Sequence, residues 1–309
     1  NGGNTAIGYR AMEVASGSQM TWNTAVGTTA MHNISYDNSF ANTAIGYQAL
    51  KGGAVTAKVQ YNVAIGATNL SSITSGINNT AIGGNSVLSN LTTGANNVAL
   101  ARGAGQTLTT TSDCILIGAD AGNLLDGTGP NGSIAIGKLA LAVHTTGARN
   151  IAIGWEAMHD TNAGSTAQGS SDNIFMGYSA GGGVWADAAS SYNVAVGNLS
   201  MDGPLNGASN NTTIGYQCLT DLTQGDQNTA LGYRSLHQVT TGGDNIGIGA
   251  NVGFAMTTTA NTVLIGTSAG GAINSTDADG TVAIGYQAGL NITSGAGTVA
   301  IGYQAGDAL

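Results

Sequence analysis

The sequence predicts an all-β chain wound as a parallel β-solenoid (β-roll) of about 17 coils, and three observations carry that expectation. A segment of the form Asn-Thr/Val/Ile-Ala-Ile-Gly returns along the whole chain, as in Asn4–Tyr9, Asn42–Tyr47, Asn150–Trp155 and Asn228–Tyr233. Its glycine recurs every 17 residues in regular stretches and every 18 to 23 residues where something is inserted. Charge is almost missing, with 7 Lys+Arg and 16 Asp+Glu among 309 residues. A fixed period near 17 to 20 over a whole chain indicates stacked like units instead of two globular domains, so residues 1–309 read as a single repeat domain with both ends uncapped.

Each coil begins with a strand. The residue three before the glycine is β-branched throughout (Thr5, Thr24, Val63, Ile115, Ile151, Val194, Val299), and the one just before it is aliphatic or Met. Neighbours on a strand alternate between faces, so these two columns share one. That face is expected to be buried, with Ile7, Ile45, Ile65, Ile153, Ile214, Ile284 and Ile301 as structural core. Between them stands mostly Ala (Ala6, Ala25, Ala44, Ala152, Ala300), on the opposite face, where smallness suggests the close approach of another surface. On this reading Ile153→Asp breaks the fold, whereas Ala152→Trp breaks only association.

After the glycine come a bend, a second and weaker strand, and a turn such as Thr92-Thr93-Gly94 or Thr240-Thr241-Gly242. A single coil cannot fold alone. Two to four buried apolar side chains at about 1.5–3 kcal/mol each do not offset the ordering of a whole coil at about 1–2 kcal/mol per residue. Stacking supplies the missing hydrogen bonds, with a rise of about 4.8 Å per coil. It also accounts for the low charge, because a charged column would place like charges about 5 Å apart, while Asn donates to one rung and accepts from the next. Asn opens most copies, including Asn4, Asn23, Asn42, Asn62, Asn79, Asn97, Asn193 and Asn245.

The repeat Asn-[Thr/Val/Ile]-Ala-Ile-Gly-x-x-Ala resembles that of trimeric autotransporter adhesin heads and the shaft repeats of bacteriophage tail-fibre proteins, over the entire chain and with a longer unit than adhesin heads use. The resemblance implies a homotrimeric fibre of parallel β-rolls packed through one face of each, at a cell or virion surface. The Ala column is then the candidate packed face. The membrane anchor of an adhesin and the self-cleaving chaperone domain that follows many phage shafts have no counterpart in this sequence.

Composition and motifs narrow the function further. A net charge of −9 without a Lys/Arg cluster offers no nucleic-acid surface, and no apolar run reaches the length of a membrane span, so this segment is expected to make no membrane insertion. The aliphatic signature appears once per coil and not at every sixth residue, which argues against a hexapeptide-repeat acyltransferase. His32, His144, His159 and His237 are dispersed and are expected to be exposed polar residues; Cys114 and Cys218 are expected to be free buried thiols. Asp277-Ala278-Asp279-Gly280 lacks the remaining ligands of a calcium loop and reads as a turn. No catalytic residues, no metal and no cofactor are assigned, and the chain is expected not to be an enzyme.

Tyr9, Tyr47, Tyr178, Tyr216, Tyr233, Tyr286 and Tyr303 form a column after the glycine, read as a stacking ladder, Tyr216 on Tyr233 and Tyr286 on Tyr303. Ligand contact, if made by this chain, is expected on the lengthened coils, with Tyr36, Phe40, Asp160, Asn162, Trp185 and Asp187 as candidate loop residues. The expected function is a non-enzymatic extracellular rod that spaces or presents a receptor-binding tip. Its partners would be copies of itself and a cell-surface glycan or protein receptor. The alternative is a subunit of a self-assembling extracellular filament, stacked end on end.

Overall fold

The computed structural model describes residues 2–13, 20–34, 37–55, 57–125, 129–161 and 169–307. The chain is an all-β solenoid of short parallel strands, divided into two compact units, Asn1–Asn150 and Ile151–Leu309. The first unit holds β1 (Thr5–Ile7), β2 (Thr24–Val26), β3 (Thr43–Ile45), β4 (Val63–Ala67), β5 (Thr80–Asn85), β6 (Val98–Leu100), β7 (Ile115–Ile117) and β8 (Ile134–Ile136). The second holds β9 (Ile151–Ile153), β10 (Ile174–Met176), β11 (Val194–Val196), β12 (Thr212–Ile214), β13 (Thr229–Leu231), β14 (Ile246–Ile248), β15 (Val263–Ile265), β16 (Val282–Ile284) and β17 (Val299–Ile301). Every strand falls on the repeated segment. Within each unit each strand pairs in parallel with the next, equivalent residue on equivalent residue, as Thr24 on Thr43 and Val26 on Ile45. Only β4 and β5 run past the glycine, with a register shift between Ile65 and Ala67 where the extra Gly84 lengthens the coil.

The asparagine column works as the composition requires. Oδ1 of Asn211 accepts from the backbone N–H of Asn228 at 2.9 Å and from its Nδ2 at 3.0 Å, while Nδ2 of Asn228 also donates to the Gly242 carbonyl at 3.0 Å. The same three bonds tie Asn245 to Asn228 and to Thr259. These side chains are buried, and each one satisfies an amide that would otherwise be orphaned between the turn and the strand. Cys114 stands in this column in place of Asn: its backbone N–H donates to Asn97 Oδ1 at 3.0 Å and its Sγ contacts the Pro130 carbonyl at 3.4 Å.

Two expectations about the coil are corrected. The segment after the glycine is not a second strand but a run of turns, in which non-glycine residues take positive φ at alternate positions, as Gln48 (55°) and Leu50 (47°) do. That alternation turns successive amides in opposite directions along the stack: Gln48 N–H donates to Thr28 in the preceding coil and Leu50 N–H to Asn69 in the following one.

The second correction concerns which face is inside. The Ala column is fully buried (Ala25, Ala44, Ala64, Ala99, Ala152, Ala195, Ala283), and the flanking aliphatic columns point outward. Ile7, Ile45, Ile214 and Ile301, assigned to the core from sequence, are exposed, at 60% for Ile7 and 48% for Ile214; Ile65, Ile153 and Ile284 are half-buried. The physical reason is volume. The interior is already filled from elsewhere in the coil by the residue four after the glycine (Met31, Leu50, Leu70, Leu141, Leu219, Leu236) and by the one seven after it (Ile34, Ile73, Leu108, Leu222, Val239, Met256, Ile273). What remains opposite them on the strand is room for a methyl group. Where the strand does send a large side chain inward, at Leu116, Phe175 and Leu264, the position four after the glycine becomes Gly122, Gly181 and Gly270. A Cβ on Gly181 would stand 2.5 Å from the Phe175 ring, and one on Gly270 would stand 2.9 Å from Leu264.

Candidate functional site

The outward columns that flank the buried Ala, aliphatic apart from several Thr, run along the surface of each unit. In the second unit Met176, Ile214, Leu231, Ile246, Val299 and Ile301 are exposed, on β10, β12, β13, β14 and β17, and in the first Ile7, Ile45, Ile82 and Ile115 are, on β1, β3, β5 and β7; on the strands between them the matching side chains are half-buried. Strand pairing in strict register makes the two columns continuous rows within a unit, because every rung adds the same two positions. A contiguous exposed apolar surface of this kind marks an interaction site more often than a solvated face.

The loop residues singled out from sequence meet different fates. Tyr36 and Asn162 lie outside the described residues. Phe40 is half-buried and sits edge-on between Trp22 (6.1 Å, 89°) and Tyr61 (5.1 Å, 79°), both exposed, so it belongs to an aromatic row across three coils. Asp160 is half-buried and Asp187 is exposed. Trp185 is the correction: it is fully buried, packed 5.7 Å from the Phe175 ring, with Nε1 donating to the Gly181 carbonyl at 3.0 Å. Its coil lengthens to bring an indole inward, filling the space that Gly181 leaves, while its neighbour Val184 is exposed. The structure therefore brings none of these loop residues together into one site, among those described.

The tyrosine column is exposed, and its consecutive members stack, Tyr216 on Tyr233 at 5.7 Å and 13° and Tyr286 on Tyr303 at 5.3 Å and 14°. Rings committed to one another along the stack stiffen the coil edge and leave only their outer flanks for a ligand. Trp155 meets Tyr178 edge-on at 5.6 Å.

Both thiols are free and buried. Burial pushes the Cys114 thiol up to about 11, and pushes Cys218 up as well, which keeps both protonated and unreactive. The histidines depart from expectation: His144 is fully buried at the position seven after a glycine, where other coils place Ile or Leu, with Nε2 at 3.1 Å from the Gly147 carbonyl. His237 is also buried, and burial lowers its basicity. Thr276–Ala278 is a short 3-10 turn capped by Ser275, as the sequence Asp277–Gly280 suggested. Among the described residues no three His, Cys, Asp or Glu side chains converge where a metal ion could bind, and no helix is long and apolar enough to cross a membrane.

What sequence reasoning missed is the pair of interior columns four and seven after the glycine. The signal was present, since Ile34, Ile73, Leu91, Leu108, Leu222, Val239, Met256 and Ile273 recur in an otherwise polar stretch. Compared with protein-family models and with curated protein sequences, the chain matches none.

Proposed function

We propose that this chain is a segment of a non-enzymatic extracellular fibre, a self-associating rod that spaces or presents a receptor-binding tip, with three copies packed through the outward aliphatic columns. The observation that carries the reading is the outward-facing Ile, Val, Leu or Met just before the glycine position, exposed or half-buried on every strand, in a chain whose interior is filled from the turns. Burying the exposed part of one such side chain contributes about 0.5–1 kcal/mol. The nine strands of the second unit offer sixteen such apolar side chains, Thr212 and Thr229 taking the other two outward positions, and together they reach roughly 10 kcal/mol, of the same order as the ~4–15 kcal/mol that association costs. A repeated surface thus achieves by multiplication what no single coil could. The extracellular setting and the trimeric number rest on the resemblance of the repeat to adhesin heads and phage fibre shafts. The alternative, an end-stacked filament, leaves these rows uncovered along its length.

Light scattering on the purified chain tests this. The expected result is a discrete particle of three times the 30.4 kDa chain mass. Ile214→Lys with Leu231→Lys should give a monomer with the parent's circular dichroism, because both side chains stand outside the fold. Ala152→Trp, by contrast, should unfold the second unit, because Ala152 lies inside it. A parent chain that is monomeric at micromolar concentration, or an open-ended size distribution, would overturn the trimer.

A further inference from the structure

We propose that the second unit carries a binding site for a carboxylate-bearing sugar residue of a surface glycan, in a pocket of about 410 Å³ lined by Arg234, Asn251, Phe254, Ser268, Leu290 and Asn291. The pocket arises from one missing side chain. The position five after the motif glycine carries His237, Phe254 and Leu290 in neighbouring coils, but Gly271 between the last two, so the stacked column has a gap walled by an aromatic ring and a leucine. The volume falls within the ~300–1,000 Å³ range of small-ligand sites.

The chemistry of the lining selects the ligand. Arg234 places its guanidinium over the Phe254 ring, 5.0 Å from the centroid, with Nη2 at 3.4 Å from His237 Nε2, while His237 stacks on the same ring at 5.4 Å. Among the described residues Arg10 and Arg102 have carboxylate partners, and Arg234 has none within ion-pair distance. Arg234 Nε, on the wall, and His237 Nδ1, behind it, are buried without a hydrogen-bond partner. In a chain with 7 Lys+Arg against 16 Asp+Glu, an arginine held by an aromatic ring and left unneutralised beside a cavity is a site prepared for an anion. The rest of the wall is neutral and hydrogen-bonding: Asn251, Ser268, and Asn291, whose Nδ2 is engaged by Asp307 at 2.9 Å and whose Oδ1 remains an acceptor. Phe254, Leu290 and Ala272 add apolar surface. One carboxylate, several hydroxyls and one C–H face describe a hexuronate-type sugar ring. The pocket is complete within one chain and does not depend on self-association.

The test is titration of the full chain with methyl β-D-glucuronide, methyl β-D-glucoside and inorganic phosphate, followed by ligand-observed NMR. The glucuronide should saturate, and the glucoside should bind weaker by about tenfold or more, the ordinary worth of one charge-assisted contact. Arg234→Gln should reduce the glucuronide to the glucoside's level. Gly271→Leu restores the side-chain column that neighbouring coils carry, and its Cβ would meet only the movable end of Leu290 at 2.8 Å and the Ser268 carbonyl at 3.3 Å, so it should abolish binding while the melting curve holds. Equal binding of glucuronide and glucoside, unchanged binding by either variant, or the lack of saturation would overturn the site. Displacement of the glucuronide by equimolar phosphate would overturn the sugar and leave a simple anion site.

Discussion

At the scale of single residues, the fold depends on positions where backbone meets backbone. Gly232 has a φ of 130°, and a Cβ there would stand 2.5 Å from the Gly249 carbonyl oxygen in the next coil. Both the conformation and the space exclude a side chain, which is why this glycine was the clearest mark of the period. Gly232→Ala should cost about 2–4 kcal/mol, combining ~1–2 kcal/mol of backbone strain with the displacement of a neighbouring coil. Gly84, with nothing within 4 Å of its would-be Cβ, provides the comparison, and Gly84→Ala should move the urea midpoint hardly at all. Equal midpoints for the two variants would contradict the close stacking of coils. The asparagine column was legible for a related reason, since stacked like groups favour a side chain that is both donor and acceptor; that it also bonds the turn carbonyls of the next coil could not be read without the structure.

At the scale of the coil, the governing quantity is interior volume, shared between the middle of the strand and the residue four after the glycine. The pairs Ala195 with Met201, Thr213 with Leu219 and Ala230 with Leu236 place the bulk on the turn side; Leu116 with Gly122, Phe175 with Gly181 and Leu264 with Gly270 place it on the strand. A double-mutant cycle tests the exchange. Phe175→Ala alone leaves a cavity and should cost about 3–5 kcal/mol, and Gly181→Leu alone drives a side chain into the ring and should cost at least ~2 kcal/mol. The double variant restores the arrangement used by Ala195 and Met201 and should be more stable than the sum of the single changes by about 2 kcal/mol or more, measured by denaturant unfolding. Additive losses would mean that the two positions do not share space.

At the scale of the whole molecule, each coil touches only its neighbours, so coils should be removable as units. β12, β13 and β14 pair residue for residue, and the intervals between their glycines are regular. Deleting Tyr216–Gly232 joins Gly215 to Tyr233 and lets β12 meet β14 in the same register. Cooperative thermal unfolding should persist, with the midpoint lower by only a few degrees, about what one coil's stability is worth. Deleting Tyr216–Thr223 alone places strand against turn, and the cooperative transition should vanish from that unit. Survival of both deletions would show that register is not what holds the stack.

The amino-acid sequence by itself determined the period, the strand in every coil, the parallel stacking of like segments, the asparagine ladder from rung to rung and the stacked tyrosines. All of these follow from identical residues recurring at positions where only one chemistry fits. The tertiary structure decided which face of the strand is inside. Alternation over three residues defines two faces, and hydrophobicity assigned the larger side chains inward, but the interior was already occupied by Leu, Met and Ile from the turns of the same coil. The strand is therefore left to bury alanine and to present isoleucine outward. The same competition for space, settled coil by coil, buries Trp185 in a lengthened segment and leaves the gap at Gly271 beside Arg234. Neither outcome is visible until neighbouring coils are laid on one another.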